Sequence, residues 1–222
     1  MKEYVIIVAG GIGTRMGVEI PKQFLAINGK AIIIHTLDKF NQALPSAELV
    51  LVLPENEVDR WNALSKDTEF VNVKVMIGGS SRFQSVKSGL SMVPNNCLVA
   101  VHDAVRPFVS SETIKRVFHA AKQKNAAIPV IDLKDSLREL SGENSIAVDR
   151  SKFRLVQTPQ CFKSTLLKRA YEQADQPSFT DDASVVESLN EEVSLVEGNY
   201  ENIKITTIDD LRIAEVFLSD NL

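Results

Sequence analysis

The chain has 222 residues, of which 44% are hydrophobic and 24% are charged, and its 25 basic and 29 acidic residues give a net charge of −4. This is the composition of an ordinary globular protein, and it excludes disordered and collagen-like chains. The small negative charge argues against broad nucleic-acid binding but permits a local cationic pocket.

Apolar runs alternate with amphipathic stretches as far as Val130. The runs predict strands over Tyr4–Ala9, Glu48–Leu53, Val73–Ile77, Cys97–His102 and Ala126–Val130. The amphipathic stretches predict helices, some opened by serine caps such as Ser81 and Ser111, over Ala31–Gln42, Glu55–Ser65, Ser81–Met92 and Ser111–Lys124. This alternation is typical of βαβ units. It predicts an α/β fold with a mostly parallel sheet between two helical layers.

The pattern changes over Leu133–Arg150, where two polar, alternating runs flank the turn at 141–144. They predict a projecting β-hairpin arm, at about 133–152. A hairpin alone buries too little apolar surface to be stable, so we expect the arm to rest on a second subunit. The alternative is a hairpin that stays against its own chain with exposed charges.

The remainder of the chain returns to mixed helices and strands. The predicted elements are helices near Ser164–Gln173, Asp181–Asn190 and Ile208–Leu218, and strands over Val193–Glu197 and Asn202–Thr206. Thr207 and Asp210 form a capping box for the last helix. Since no linker interrupts the pattern, we expect one domain over residues 1–222.

Two further absences set the cellular context. No apolar run approaches the roughly 20 residues of a membrane span, and the first residues lack a signal-peptide pattern. Cys97 and Cys161 lie far apart in apolar surroundings, which indicates packing thiols and not a disulfide or a metal site. We therefore expect a cytoplasmic protein.

A glycine-rich loop follows the first strand, with Gly10, Gly11 and Gly13 preceding Arg15 and Lys22. Glycines let backbone N–H groups approach phosphate oxygens, and the two cations add positive charge. A plain turn with solvated cations is the alternative. The Walker pattern fails because no Gly-Lys pair precedes Ser or Thr. The dinucleotide pattern fails because its glycine spacing is wrong and no acidic residue closes the second strand.

The loop instead matches the G-x-G-x-R-M…P-K pattern of Rossmann-like nucleotidyltransferases. Further blocks extend the match, namely Pro21–Phe24, Gly78–Val86, Val101–Pro107, Val148–Arg150, Gln157–Gln160, Thr180–Ser184 and Glu197–Thr206. In this order they resemble the 2-C-methyl-D-erythritol 4-phosphate cytidylyltransferase family over nearly the whole chain. Two departures are Val8-Ala9-Gly10-Gly11, which is similar to ribitol-5-phosphate cytidylyltransferases, and Asp135-Ser136 in place of Asp-Thr.

The resemblance implies transfer of CMP from CTP to 2-C-methyl-D-erythritol 4-phosphate, with release of pyrophosphate. An acceptor phosphate is already nucleophilic at neutral pH, so catalysis needs positioning and charge neutralisation. The implied catalytic residues are therefore cations, Arg15, Lys22, Arg150 and Lys204. The resemblance also implies a homodimer in which each arm reaches the active site of its neighbour.

The remaining site residues divide between the two substrates. The residues implied for CTP are Ala9, Gly10, Gly11, Gly13, Gly78, Arg82, Ser85 and Asp103. The residues implied for the acceptor are Arg106, Ser136, Thr180 and Asp181. Asp103 ends the fourth strand, so it is also our candidate contact for Mg²⁺ or another divalent cation. The alternatives are an Asp103–Arg106 pair without ligand contact and a simple helix cap at Ser81.

Three other functions remain open. A ribitol-5-phosphate cytidylyltransferase would use a different acceptor. An NAD-dependent oxidoreductase is disfavoured by the glycine spacing. A regulator that binds nucleotide without catalysis would be expected to lack one of the four implied catalytic cations, yet Arg15, Lys22, Arg150 and Lys204 are all present.

Overall fold

A computed structural model describes the protein over residues 1–10 and 20–219. The strands are β1 (Glu3–Val8), β2 (Ala26–Ile27), β3 (Lys30–Ala31), β4 (Glu48–Leu53), β5 (Lys74–Ile77), β6 (Leu98–Asp103), β7 (Ala126–Ile131), β8 (Leu137–Ser141), β9 (Asn144–Val148), β10 (Leu155–Val156), β11 (Gln160–Lys163) and β12 (Ser194–Glu197). The α-helices are α1 (Ile32–Ala43), α2 (Val58–Ser65), α3 (Arg82–Leu90), α4 (Ser111–Lys124), α5 (Ser164–Ala170), α6 (Asp182–Glu187) and α7 (Ile208–Ser219). Short 3-10 helices cover Lys22–Phe24, Glu55–Glu57 and Arg150–Lys152.

The central feature of the described chain is an eight-stranded, mixed sheet. β1 lies between β4 and β6, and β5 lies outside β4, all parallel. β11 runs antiparallel between β6 and β7 and pairs with the first residues of β7, Ala126 and Ala127. β10 is also antiparallel and pairs with the last residues of β7, Val130 and Ile131, on the same side. β12 runs parallel on the other side of β7. The parallel strands β1, β4, β5 and β6 therefore end together at one edge of the sheet.

Alternating strand residues supply apolar surface to both faces of the sheet, as expected for strands covered by helices. On one face, Val5 and Ile7 belong to a buried cluster with residues of α1, α2 and α4. On the other face, Ile6 belongs to a cluster with residues of α3, α5 and α6. This arrangement confirms the predicted α/β fold with a mostly parallel sheet between helices.

Two strands and a short hairpin were not predicted, and one predicted strand was wrong. β10 and β11 are short and run antiparallel to their neighbours, so they carry no βαβ pattern. The hairpin of β2 and β3 turns through Asn28 and Gly29, both with positive φ, as such tight turns require. Residues 202–206 do not form a strand, because their backbone groups bind partners in several separate segments. Asn202, for example, accepts from Arg106 and Gln157 through its carbonyl oxygen.

The arm and the helix caps follow the predictions closely. β8 and β9 pair antiparallel, with Leu137 opposite Val148 and Ser141 opposite Asn144. Ser81 caps α3 by accepting from the backbone N–H of Gln84. The cap of α4 is Ser110, one residue before the predicted Ser111.

Candidate functional site

The site lies where β1, β4, β5 and β6 end. Ligands of open α/β sheets bind at this edge, because the turns that follow the strands present their backbone groups there. Two segments meet in the described structure, Gly10 two residues after the end of β1 and the turn that begins with Gly78 directly after β5. A Cβ atom at Gly10 would stand 3.3 Å from the hydroxyl oxygen of Ser85, and one at Gly78 would stand 2.8 Å from it. Glycine at these positions therefore allows a close approach of both segments to Ser85.

The hydroxyl of Ser85 supports the turn that begins with Gly78. It donates to the carbonyl of Ser81 at 2.9 Å and accepts from the N–H of Gly79 at 3.2 Å. Ser85 is buried on α3, so these bonds replace the water that the hydroxyl would otherwise bind. The geometry brings together Gly10, Gly78 and Ser85, three of the residues assigned to the nucleotide from sequence.

Ala9 and the segment after the glycine-rich loop are also connected. The N–H of Ala9 donates to the carbonyl of Val52 at 2.9 Å, which extends the pairing of β1 with β4. The buried side chain of Gln23 donates to the carbonyl of Ala9 at 2.8 Å. Lys22 is the neighbour of Gln23 in a 3-10 helix, so the bond fixes the backbone that carries Lys22. Gly11, Gly13 and Arg15 lie outside the described residues.

Asp103, at the end of β6, faces three cations among the described residues. Its Oδ2 lies 2.9 Å from Nζ of Lys204 and 3.4 Å from Nε of Arg106, while its Oδ1 lies 3.7 Å from Nε of Arg82. Burial alone would raise the pKa of Asp103, but the charges of Arg82, Lys204 and Arg106 hold it well below its usual range. Asp103 is therefore an anion that gathers the three cations, and the sequence-predicted pairing with Arg106 is one part of this cluster.

His102 supports the backbone around Asp103 through hydrogen bonds to two neighbouring segments. Its Nε2 lies 3.1 Å from the carbonyl oxygen of Arg106, and its Nδ1 lies 3.0 Å from the hydroxyl of Thr158, which also accepts from the N–H of Asp103. A carbonyl only accepts, so Nε2 carries the proton and Nδ1 accepts from Thr158. Burial lowers the pKa of His102 to about 4, which keeps the ring neutral at pH 7. These contacts give His102 a structural role.

Asp182 holds Arg82 on the side away from Asp103. Nη1 and Nη2 of Arg82 donate to the two carboxylate oxygens of Asp182 at 3.1 and 2.6 Å. The hydroxyl of Tyr171 donates to Oδ1 of Asp182 at 2.6 Å. The guanidinium thus lies between two carboxylates.

A network of amides holds the loop that carries Lys204. Asn202 is buried, donates to the carbonyl of Thr158 at 2.8 Å, and accepts from Arg106 through its own carbonyl at 2.9 Å. The N–H of Ile205 donates to the carbonyl of Val105 at 2.9 Å. Lys204 stands between these two anchored residues, and its ammonium group reaches Asp103 from a non-repetitive segment.

The residues assigned to the acceptor are only partly brought together. Arg106 belongs to the Asp103 cluster. Asp181 caps α6, because its Oδ1 accepts from the N–H of Ser184 and its Oδ2 accepts from Gln160. Thr180 is exposed and precedes that cap.

Ser136 and Arg150 lie at the base of the arm, where both are exposed. The guanidinium of Arg150 donates to the carbonyl of Lys134. This contact ties Arg150 to its own arm and not to the Asp103 cluster of the same chain.

The donor set around Asp103 fits one mode of metal binding. Among residues 1–10 and 20–219, no group of three His, Cys, Asp or Glu side chains could hold a metal ion. Mg²⁺ is, however, commonly held by one or two carboxylates together with substrate phosphates. The 3.7 Å separation between Nε of Arg82 and Oδ1 of Asp103 is beyond hydrogen-bond distance, so Arg82 does not occupy the lone pairs with which this oxygen could bind a metal ion or a ribose hydroxyl.

Sequence reasoning missed several residues that hold the site, although it identified the motifs that contain them. Gln23, Gln157, Thr158 and Asp182 are all buried polar residues in those motifs. Their place inside the matched motifs is the signal that could have identified them. Tyr171 carried no such signal.

Comparison with known proteins gives a consistent result. The family model described as 2-C-methyl-D-erythritol 4-phosphate cytidylyltransferase matches residues 4–220. A protein of that description from Bacteroides thetaiotaomicron is 50% identical over 219 residues, which cover 98% of this chain and 100% of the relative.

Solved structures resemble the chain to a similar extent. The crystal structure of 2-C-methyl-D-erythritol 4-phosphate cytidylyltransferase from Thermus thermophilus has a TM-score of 0.80 and 34% identity, covering 99% of this chain and 100% of that one. The structure of 4-diphosphocytidyl-2C-methyl-D-erythritol synthase from Anaerococcus prevotii has a TM-score of 0.85 and 28% identity, covering 98% of this chain and 96% of that one.

Proposed function

Because the chain belongs to the 2-C-methyl-D-erythritol 4-phosphate cytidylyltransferase family, we propose that it transfers CMP from CTP to 2-C-methyl-D-erythritol 4-phosphate. The products are 4-diphosphocytidyl-2-C-methyl-D-erythritol, an isoprenoid precursor, and pyrophosphate. The observation that carries this proposal is the convergence of Arg82, Arg106 and Lys204 on Asp103. Such a cluster suits a reaction between two polyanions.

The reaction is one displacement at phosphorus. An oxygen of the acceptor phosphate forms a bond to the α-phosphorus of CTP, and the bond from that phosphorus to the oxygen bridging to the β-phosphorus breaks. Pyrophosphate carries away the electron pair. No proton has to be removed from the acceptor, so the protein's task is to align the phosphates and offset their charge.

On the CTP side, we assign the glycine turns to the base and ribose. The backbone of Ala9, Gly10 and Gly78 and the hydroxyl of Ser85 offer donors and acceptors at fixed positions. A base that leaves such groups unpaired is rejected, which gives selectivity for cytosine. Gly11, Gly13, Arg15 and Lys22 are assigned to the triphosphate and to its charge in the transition state.

We assign binding of the acceptor to Arg106, Lys204, Thr180 and Asp181. Lys204 already contacts Asp103 at 2.9 Å, so its ammonium group can exchange that partner for a phosphate oxygen or bind both. Arg82 completes the cationic surface between the two substrates.

Ser136 and Arg150 are proposed to act from the neighbouring subunit of a homodimer. The arm exposes apolar side chains that a lone chain leaves in water, with Leu140 80% and Ile146 57% exposed. A second copy that covers the arm would bring Arg150 to a site, where a guanidinium can bind a phosphate with two hydrogen bonds.

Asp103 is proposed as the protein's contact for Mg²⁺ or another divalent cation. When bound, the cation neutralises triphosphate charge and helps to orient the leaving group. We further propose that residues 1–222 form one nucleotidyltransferase domain that acts in the cytoplasm, where both charged substrates are available.

Pyrophosphate release is the direct test. Purified protein with CTP and Mg²⁺ is expected to release pyrophosphate when 2-C-methyl-D-erythritol 4-phosphate is added, and to release much less with ribitol 5-phosphate. The second acceptor is a necessary comparison because Val8-Ala9-Gly10-Gly11 is similar to the ribitol enzymes. Faster turnover with ribitol 5-phosphate would overturn the acceptor assignment, and CTP binding without turnover on either acceptor would overturn the enzymatic one.

A further inference from the structure

Arg82 is held by a chain of buried polar contacts to which the proposed reaction assigns no role. Asp182 is fully buried, and its carboxylate accepts both hydrogen bonds from the Arg82 fork. Tyr171 is also buried, and its hydroxyl donates to Oδ1 of the same carboxylate at 2.6 Å. The ring of Tyr171 stacks on Phe83 with centroids 4.5 Å apart, which fixes the hydroxyl in turn.

These contacts connect the two substrate sides of the cleft. Arg82 is the first residue of α3, directly after the turn assigned to CTP, whereas Asp182 is the first residue of α6, directly after Thr180 and Asp181. The Arg82–Asp182 pair is therefore a bridge between the nucleotide turn and the acceptor loop. A change of Asp182 would reach both substrates through one guanidinium.

The geometry also determines which part of the guanidinium faces the cleft. The fork formed by Nη1 and Nη2 is bound to Asp182, so Nε points towards Asp103. An arginine side chain has many rotamers, and a bidentate partner selects one of them. Burial alone would lower the pKa of Arg82, but the charges of Asp182 and Asp103 raise it, so the group stays cationic.

We propose that Asp182 and Tyr171 are positioning residues, which act through Arg82 to hold the CTP turn and the acceptor loop in register for the transfer. This inference rests on the proposed function for its catalytic consequence. Its structural part, the restraint of Arg82 by Asp182, concerns the free protein.

Nitrogen-15 NMR of the ligand-free protein tests the structural part. The Nη–H signal of Arg82, assigned by its loss in Arg82→Gln, is expected to be resolved and slow to exchange, because Nη1 and Nη2 are the atoms that donate to Asp182. In Asp182→Asn it should exchange rapidly, and in Tyr171→Phe its protection should fall by a smaller factor. The matched control is Tyr4→Phe, which removes the hydroxyl of another buried tyrosine, in β1. An unchanged Arg82 signal in folded Asp182→Asn would overturn the proposal.

A double-variant cycle tests the action through Arg82. Asp182→Asn is expected to lower kcat/KM by about 100-fold, the loss typical of a misplaced catalytic group. Tyr171→Phe should lower it by about 10-fold, as expected for one hydrogen bond to a charged group, and it remains informative if Asp182→Asn does not fold. Arg82→Gln combined with either change should be no worse than Arg82→Gln alone, within about 3-fold. Losses that multiply would show an independent, structural role and overturn the proposal.

The two proposals fail in different ways. If the wild type releases no pyrophosphate with any acceptor, the proposed function fails, and the NMR comparison still decides whether Asp182 restrains Arg82. If the wild type is active and the cycle is additive, the proposed function stands and the positioning role fails.

Discussion

At the scale of single residues, the site depends on cations that must be held close together without substrate. Arg82, Arg106 and Lys204 would repel one another if Asp103 were neutral. The carboxylate therefore maintains a cluster that a phosphate can later enter. Lys22, next to the buried Gln23, is a further cation that we propose acts in the reaction.

Replacing Lys22 by Ala is expected to nearly abolish turnover and leave the fold intact, because its proposed role is to offset charge in the transition state. Loss of one such donor costs about 3 kcal/mol of barrier, or about 100-fold in kcat. Steady-state pyrophosphate release measures the effect, with circular dichroism as the check on folding. Lys66→Ala, an exposed lysine after α2, is the control. Near-normal kcat in Lys22→Ala would refute the assignment.

Replacing Gly78 by Ala places a Cβ atom 2.8 Å from the hydroxyl oxygen of Ser85. Carbon and oxygen do not approach so closely, so the turn or the serine must move. We expect the Kd for CTP to rise about 10-fold, a typical cost of about 1.4 kcal/mol, by calorimetry without acceptor. Ser91→Ala, at the far end of α3, should bind CTP as the wild type does. Unchanged binding in Gly78→Ala would show that this turn does not contact the nucleotide.

At the scale of elements, the last helix shows how a local pattern can be read correctly. The N–H of Thr207 donates to Oδ2 of Asp210 at 2.8 Å, and the N–H of Asp210 donates to the hydroxyl of Thr207 at 3.2 Å. This is the predicted capping box. The same carboxylate oxygen also accepts from the N–H and hydroxyl of Thr206.

Asp210→Ala is expected to lower the free energy of unfolding by about 1 kcal/mol, the usual value of such a cap. Partial burial would raise the pKa of Asp210, but hydrogen bonds from Thr206 and Thr207 lower it. The carboxylate's contribution is therefore complete above the unfolded pKa of about 3.9 and is lost as the pH falls through the lower folded value. Urea unfolding at pH 6 and pH 3 measures the difference between variant and wild type.

The neighbouring acid provides the control for the helix cap. Asp209 forms an exposed pair with Arg212. Asp209→Ala should cost only about 0.3 kcal/mol, because exposed pairs contribute little. Equal losses in the two variants would contradict the capping role of Asp210.

Elements that depend on distant partners could not be predicted from local pattern. The apolar alternation of 202–206 predicted a strand. In the structure, however, Asn202 and Ile205 are buried and donate hydrogen bonds to two different segments, at Thr158 and Val105. β10 and β11 are strands because they pair with β7, and a pairing between distant segments leaves no local pattern in the sequence. The parallel strands and the long helices α1 and α4 were predicted because their period is local.

At the scale of the whole molecule, the sequence predicted which residue types the site needs better than it predicted how they are held. Residues assigned to ligand contact, such as Gly78, Ser85 and Asp103, meet at one edge of the sheet. The buried partners Gln23, Asp182 and Tyr171 were not recognised, because burial next to a ligand site is a property of the folded chain. None of the helices in the described part of the chain is long and apolar enough to cross a membrane.

Mixing two inactive variants tests the proposed shared site. Lys22→Ala and Arg150→Ala chains, denatured together and refolded, should form mixed dimers in which one site has both cations. In an equal mixture, half of the dimers carry one such site, so we expect about a quarter of wild-type activity if exchange is complete. Each variant refolded alone is the control, and light scattering verifies the dimer. No regained activity in verified mixed dimers would place Arg150 at the site of its own chain.

The arm begins after β7 and returns as β10, and these two strands are themselves paired, with Leu155 opposite Ile131. Its two ends are therefore clamped side by side in the sheet, whatever lies between them. The arm can therefore differ in length or sequence between relatives without shifting the strands of the central sheet. Ser136 and Arg150 lie near these two ends, so changes in the hairpin between them need not move either residue.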